Sequence, residues 1–243
     1  CTCLVAIGAH AHFKAPWDLR VERYRIMAPD RLGWTQPLRI VVVADLQTDV
    51  WGDYEVGSLE AALAEEPDLL LLPGDYIHAA SADRPALRSA FRQTLLDLDF
   101  GAPIGAYAVD GNIDGPQWAG SFAGTRVQAM AGTSLVLEKN GQTIELTGLT
   151  SPQSGGHPRW SPPPTKVGDA LRILLGHRPD FALDLRPGDY DLVVACDGLN
   201  SKTRMEFEDS FKPDIDVRRC PFVWMGTHQK FDNAFTFIFE KTD

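Results

Sequence analysis

Two apolar runs, each closed by an acid, constrain the fold of this chain more than any other feature. Residues 39–45 read RIVVVAD and residues 67–75 read PDLLLLPGD. Unbroken runs of this length, lacking polar alternation, are the pattern of strands buried on both faces. Each terminal carboxylate then stands where a strand leaves the core. An amphipathic helical pattern follows each run. Residues 55–66 carry Val56, Leu59, Ala62 and Leu63 on one side, and residues 84–98 read RPALRSAFRQTLLDL. Strand and helix in alternation predict a layered α/β fold whose sites lie at the carboxyl ends of strands.

The pattern continues downstream. A third strand is expected over Ile104 to Val109, leading into DGNIDG, and SLVLEKNGQTIELTGL alternates around Asn140-Gly141, a strong hairpin signal. The segment SPQSGGHPRWSPPPT reads as loop. Residues 166–175 give a short helix or turn and another apolar strand, then GHRPDFALDL, and the series closes with the strand DLVVA, Asp191 to Ala195. Beyond it the texture turns aromatic-rich, with two further strands expected. A hydrophobic share of 44% over 243 residues provides the core for one large domain or two modest ones.

Polar groups collect at the strand ends: Asp45 and Gln47 in ADLQTD, Asp75 in PGDY, Asn112 in DGNID and His177 in GHRPD. One aspartate after a strand is ordinarily a turn or capping residue. The set as a whole is oxygen donors plus an imidazole, the mixture that binds Mn, Fe, Zn or Mg pairs. Asp75, on the middle strand end, is placed to bridge two cations. DGNIDG also fits the start of a calcium loop, but the twelfth position is Ser121 where a bidentate glutamate is needed, so calcium is excluded there. His78, just after the Gly-Asp motif and within reach of a metal cleft, reads as an exposed loop residue, and His157 as part of a long loop able to overhang a substrate.

In this order the residues resemble the calcineurin-like metallophosphoesterases, whose motifs run D-x-H, G-D, G-N-H-[E/D], H and G-H-x-H. The resemblance spans about residues 35–195. It implies a β-sandwich flanked by helices, a divalent metal pair and hydrolysis of a small phosphoester. Asp45 and Gln47 would be ligands of the first metal, Asp75 the bridge, and Asn112 and His177 ligands of the second, with Asp49 able to assist. Gln47 replaces a histidine and offers a weaker carbonyl donor. Ile113 replaces the histidine expected to be the general acid, which leaves Asn112 and Asp114 as the catalytic residues of that motif, Asp114 by orientation rather than proton transfer.

After YDLVVA the family would show G-H-x-H, and this chain shows Cys196-Asp197-Gly198-Leu199-Asn200-Ser201 instead. From there it resembles flavin-dependent aromatic hydroxylases, especially those acting on aromatic CoA thioesters. The resemblance implies that Asp197 and Gly198 derive from a flavin-binding Asp-Gly motif. With no G-x-G-x-x-G after any strand, FAD is not expected to be held. The expected organisation is an N-terminal segment 1–34, a metallophosphoesterase-like domain 35–195 and a flavin-monooxygenase-like fragment 196–243, joined within DLVVA. Two lost histidine ligands and a lost general acid imply impaired turnover. The alternatives are an oxidoreductase fragment and a non-catalytic metal-binding domain.

The formal charge of −10 and pI near 5.0 disfavour nucleic acid as a partner, since the tightest basic cluster is only Arg218 and Arg219. Four cysteines, at 1, 3, 196 and 220, show neither zinc spacing nor a disulfide framework. The opening CTCLVAIGA is shorter than the roughly 20 residues of a spanning helix, and reads as the remnant of an upstream membrane anchor or signal segment, which leaves membrane association as an expectation.

Overall fold

A computed structural model of the chain describes residues 19–34, 36–155, 168–186 and 188–196, all of them within one unit, Cys1–Phe207. Strands β1 (Ile40–Val42), β2 (Leu69–Leu72), β3 (Gly105–Ala108) and β4 (Val127–Ala129) form one sheet in that order, every pair parallel. Strands β5 (Thr133–Lys139), β6 (Gln142–Gly148), β7 (Leu171–Leu175) and β8 (Leu192–Val194) form a second sheet, antiparallel at β5/β6 and parallel elsewhere. Helices α1 (Asp53–Ala64) and α2 (Arg84–Asp97) follow β1 and β2. A four-residue helix, α3 (Ser151–Ser154), is capped by Thr150.

The four leucines of β2 explain how these layers stack, since all four are wholly inaccessible to solvent. Leu69 and Leu71 pack with Tyr107, Ile144, Leu146 and Ile173 between the two sheets. Leu70 and Leu72 pack on the opposite face against Leu59 of α1 and Phe91 and Leu95 of α2. Full burial of each leucine contributes roughly 1.5–3 kcal/mol before entropy is counted, so a polar residue at any of the four positions would open one of two cores. The result is a β-sandwich flanked by helices, the layered α/β architecture read from the sequence.

The Asn140-Gly141 hairpin forms as its sequence demands. Both residues take positive φ, +51° and +78°, which is the two-residue turn matched to the twist of paired strands. Two expectations are corrected. The apolar runs are strand only over Ile40–Val42 and Leu69–Leu72, and the backbone beyond them turns left-handed at Asp45 and Asp75. The segment SPQSGG begins with a helical turn rather than loop, since the Thr150 hydroxyl accepts from the Gln153 N–H. Strand β4 and the short 3-10 helix Trp118–Phe122 carry no periodic signal and were not expected. Among the described residues no helix is long and apolar enough to cross a membrane. The opening CTCLVAIGA and the aromatic-rich tail lie outside the described residues.

Candidate metal centre

Hydrogen bonding between β1 and β2 persists after both strands have ended. The Val43 N–H donates to Leu71 O at 3.0 Å, the Asp45 N–H to Gly74 O at 3.2 Å, and the Gln47 N–H to Asp75 O at 2.9 Å. The two acid-bearing loops therefore run side by side. Asp45, Gln47 and Asp75 take φ of +52°, +39° and +58°, a region that costs side-chain-bearing residues on the order of 1–3 kcal/mol each. Strain of this kind persists only where the surroundings hold it, and here it turns three polar side chains out of the sheet edge at one place.

The loop carrying Asn112 closes against the Asp75 loop through two glycines. A Cβ on Gly74, whose φ is +100°, would stand 2.7 Å from the Gly111 Cα, and a Cβ on Gly111 would stand 2.7 Å from the Asp75 Cγ. No side chain fits between these loops. The next residue, Tyr76, is buried with its hydroxyl 2.7 Å from the carbonyls of both Leu72 and Val109, so it pins the ends of β2 and β3 together.

Asp45, Asp75 and His177 each bring one ligand atom within 4.8 Å of the other two. His177 follows β7 and so comes from the second sheet. Its Nδ1 lies 2.9 Å from the Pro73 carbonyl, while Nε2 lies 3.0 Å from Asn112 Oδ1 and 3.3 Å from Asp75 Oδ2. Every partner of the ring is an acceptor, so the pocket calls for positive charge at Nε2. Burial opposes the imidazolium, but the Asp75 carboxylate, the Pro73 carbonyl and Asp45 outweigh it and raise the His177 pKa. Burial likewise works against an ionised Asp75, yet His177 and the Ile113 and Asn112 N–H groups hold its pKa below the usual carboxylate value.

The Gln47 carboxamide completes the ring, its Nε2 donating to Asp45 Oδ1 at 3.1 Å and Asp75 Oδ2 at 3.3 Å. Turned over, the same group presents its oxygen to the same point. Two carboxylates, an imidazole whose far nitrogen is fixed by a backbone carbonyl, and the amide oxygens of Gln47 and Asn112 form a donor set that fits a divalent cation.

Asp114 is placed differently. Its buried carboxylate accepts from the N–H groups of Asp75 at 2.8 Å, Tyr76 at 2.8 Å and Gly111 at 2.7 Å, and so faces backbone rather than the cluster. Burial pushes its pKa up, and the three N–H donors offset this only in part. Asp110 accepts from the Ser151 N–H at 3.0 Å and ties the same loop to α3. Asp49 and His78 are exposed and line a shallow hollow with Asp83 and Arg84. His157, Asp197 and Gly198 lie outside the described residues. The Cys196 N–H donates to the His177 carbonyl at 2.8 Å, so the point where the two resemblances meet borders the cluster.

The family pattern of the calcineurin-like phosphoesterases matches residues 38–215. The chain belongs to that family. This calcineurin-like phosphoesterase is 28% identical over 198 residues to phosphodiesterase YaeI of Escherichia coli strain K12, covering 75% of the chain and 68% of that relative. It also shares 48% identity over 50 residues with the salicyloyl-CoA 5-hydroxylase of a Streptomyces species, and 43% over 49 residues with the protodeoxyviolaceinate monooxygenase of Chromobacterium violaceum. The phosphoesterase spans only 10% and 13% of the lengths of those two enzymes, and the matches cover 21% and 20% of the chain. Among solved structures, nuclease MPE of Pseudomonas putida overlaps 56% of the chain and 60% of its own, at 19% identity and a TM-score of 0.31. The family match runs past Ala195, beyond the join read from the sequence.

Proposed function

We propose that the chain is a metal-dependent phosphoester hydrolase of low turnover, which holds a divalent cation through Asp45, Asp75 and His177 with help from the amide oxygens of Gln47 and Asn112. The observation that carries this reading is the convergence of those three ligand atoms from two sheets within 4.8 Å. Family membership and the phosphodiesterase relative support it. A bound divalent cation supplies positive charge for a phosphoryl oxygen and acidifies a coordinated water.

The residues of the chain do the rest. The Pro73 carbonyl fixes the His177 ring, the N–H of Ile113 orients Asp75 from 3.1 Å, and the exposed Asn112 carboxamide stands at the rim, where it can meet a phosphoryl oxygen. Ile113 supplies no proton, so esters whose leaving group is a stable anion, such as p-nitrophenolate, are the favoured substrates. The net charge of −10 favours a small ester over a nucleic-acid strand.

Hydrolysis of bis(p-nitrophenyl) phosphate with added Mn(II) tests this. Slow hydrolysis that is lost in Asp75→Asn, with no measurable cleavage of an alkyl diester, is expected. Equal rates on both esters, or a rate indifferent to Asp75→Asn, would overturn it.

The hydroxylase similarities favour a second reading for the end of the chain, in which residues from Cys196 onward descend from a flavin hydroxylase and replace the last motif of the phosphoesterase. A continuous genomic read through the codons of Ala195 and Cys196 is expected. A break there would remove the reading. Purified protein is expected to be colourless, and bound flavin would contradict the account.

A further inference from the structure

One guanidinium holds together the two loops that carry Asp75 and Asn112. Arg84, the first residue of α2, donates from Nε to the Ala79 carbonyl at 2.8 Å and from Nη1 to the Ile113 carbonyl at 3.1 Å. Ala79 belongs to the loop that follows Asp75, and Ile113 directly follows Asn112. Ile113 is held at both ends, because its N–H donates to Asp75 Oδ1 at 3.1 Å. The span from Asp75 to Asn112 is thus set on one side by a carboxylate and on the other by Arg84.

Two more arginines follow at intervals of four, on the same helix face. Arg88 donates to the Asp114 carbonyl and to Gln117 Oε1, and Arg92 to the Ala123 carbonyl. All three are half-buried and spend donors on backbone oxygens. Arg84 is the one of the three that bonds to both ligand-bearing loops. The rigid fork of a guanidinium spans two carbonyls at once, which the single ammonium of lysine does poorly.

We propose that Arg84 is a positioning residue of the metal centre, fixing the separation of Asp75 and Asn112 without touching the cation. The proposal rests on the metal-binding reading above. Calorimetric titration of Mn(II) into the full chain tests it in the wild type, Arg84→Met, Arg84→Lys and Arg92→Met, with thermal unfolding of the metal-free proteins alongside. Arg84→Met is expected to weaken Mn(II) binding about tenfold, the lower end of what loss of an outer partner costs. Arg84→Lys is expected to recover only part of this, and Arg92→Met, which gives up a carbonyl contact on the same helix, none of it to lose.

Should Arg84→Met fail to fold, Arg84→Lys carries the test, read as a smaller loss of affinity that still exceeds that of Arg92→Met and as a broadened Mn(II) EPR spectrum. Wild-type affinity in the folded Arg84 variants, or an equal loss in Arg92→Met, overturns the proposal. Absence of Mn(II) binding by the wild type overturns the metal-binding reading and this inference together, whereas binding that ignores Arg84 overturns this inference alone.

Discussion

His177 Nε2 lies 3.3 Å from Asp75 Oδ2, although one residue follows β7 of the second sheet and the other follows β2 of the first. The contact is where the two sheets exchange function. Each group changes the ionisation of the other, and the pair shares its site with Asp45, Gln47 and Asn112. Replacing Asp75 by asparagine removes the strongest of the influences that raise the His177 pKa, while burial, which lowers it, remains. The His177 pKa is expected to fall in Asp75→Asn, as followed by NMR titration of the metal-free protein. An unchanged value would contradict the pairing.

Metal affinity should depend on pH through the same ring. Above the raised pKa of His177 its Nε2 is bare and free to coordinate, and below it a proton occupies the position. Affinity for Mn(II) is therefore expected to weaken on acidification, by about tenfold per pH unit once the ring is protonated, with the onset above the ordinary histidine value of 6.5. Calorimetric titrations across this range check it.

The glycine pair between the loops sets a steric limit. Gly111→Ala places a methyl against the Asp75 carboxylate, and overpacking of this kind costs about 1–3 kcal/mol. Chemical denaturation should show that loss together with weakened Mn(II) binding. Gly141→Ala serves as the control: its Cβ meets nothing within 4 Å, although its positive φ still carries strain, and its metal affinity should stay at the wild-type level.

The Asp114 carboxylate faces three backbone N–H groups rather than the cluster. Asp114→Asn keeps the shape but turns an amide N–H₂ toward a backbone donor, which leaves a buried N–H unpaired at a cost of about 1–3 kcal/mol. A lower melting temperature is expected, with a hydrolytic pH profile of unchanged shape. A displaced profile would make Asp114 a participant in proton transfer.

Much of this was legible in the sequence, for reasons that differ by residue. The leucines of β2 announce burial on both faces, and Asn140-Gly141 announces its hairpin, because local chemistry decides both. Asp45, Asp75 and His177 could be picked out because each closes an apolar run and they follow the order of a known family. The positive φ at Asp45, Gln47 and Asp75 left no trace, since aspartate and glutamine adopt it only occasionally and no local pattern marks where. Arg84 and Arg88 show helical spacing in the sequence, but their targets are backbone carbonyls some 25 to 30 residues away, and a carbonyl has no letter in a sequence. Strand β4 is three residues long and is held by pairing with β3 rather than by a pattern of its own.

Equilibrium titration of Mn(II) into the full chain and into His177→Ala decides whether Asp45, Asp75 and His177 hold a divalent cation. Saturable binding by the wild type is expected, weakened by well over tenfold when the imidazole is removed. Binding of equal strength in both proteins, or none in the wild type, would contradict it.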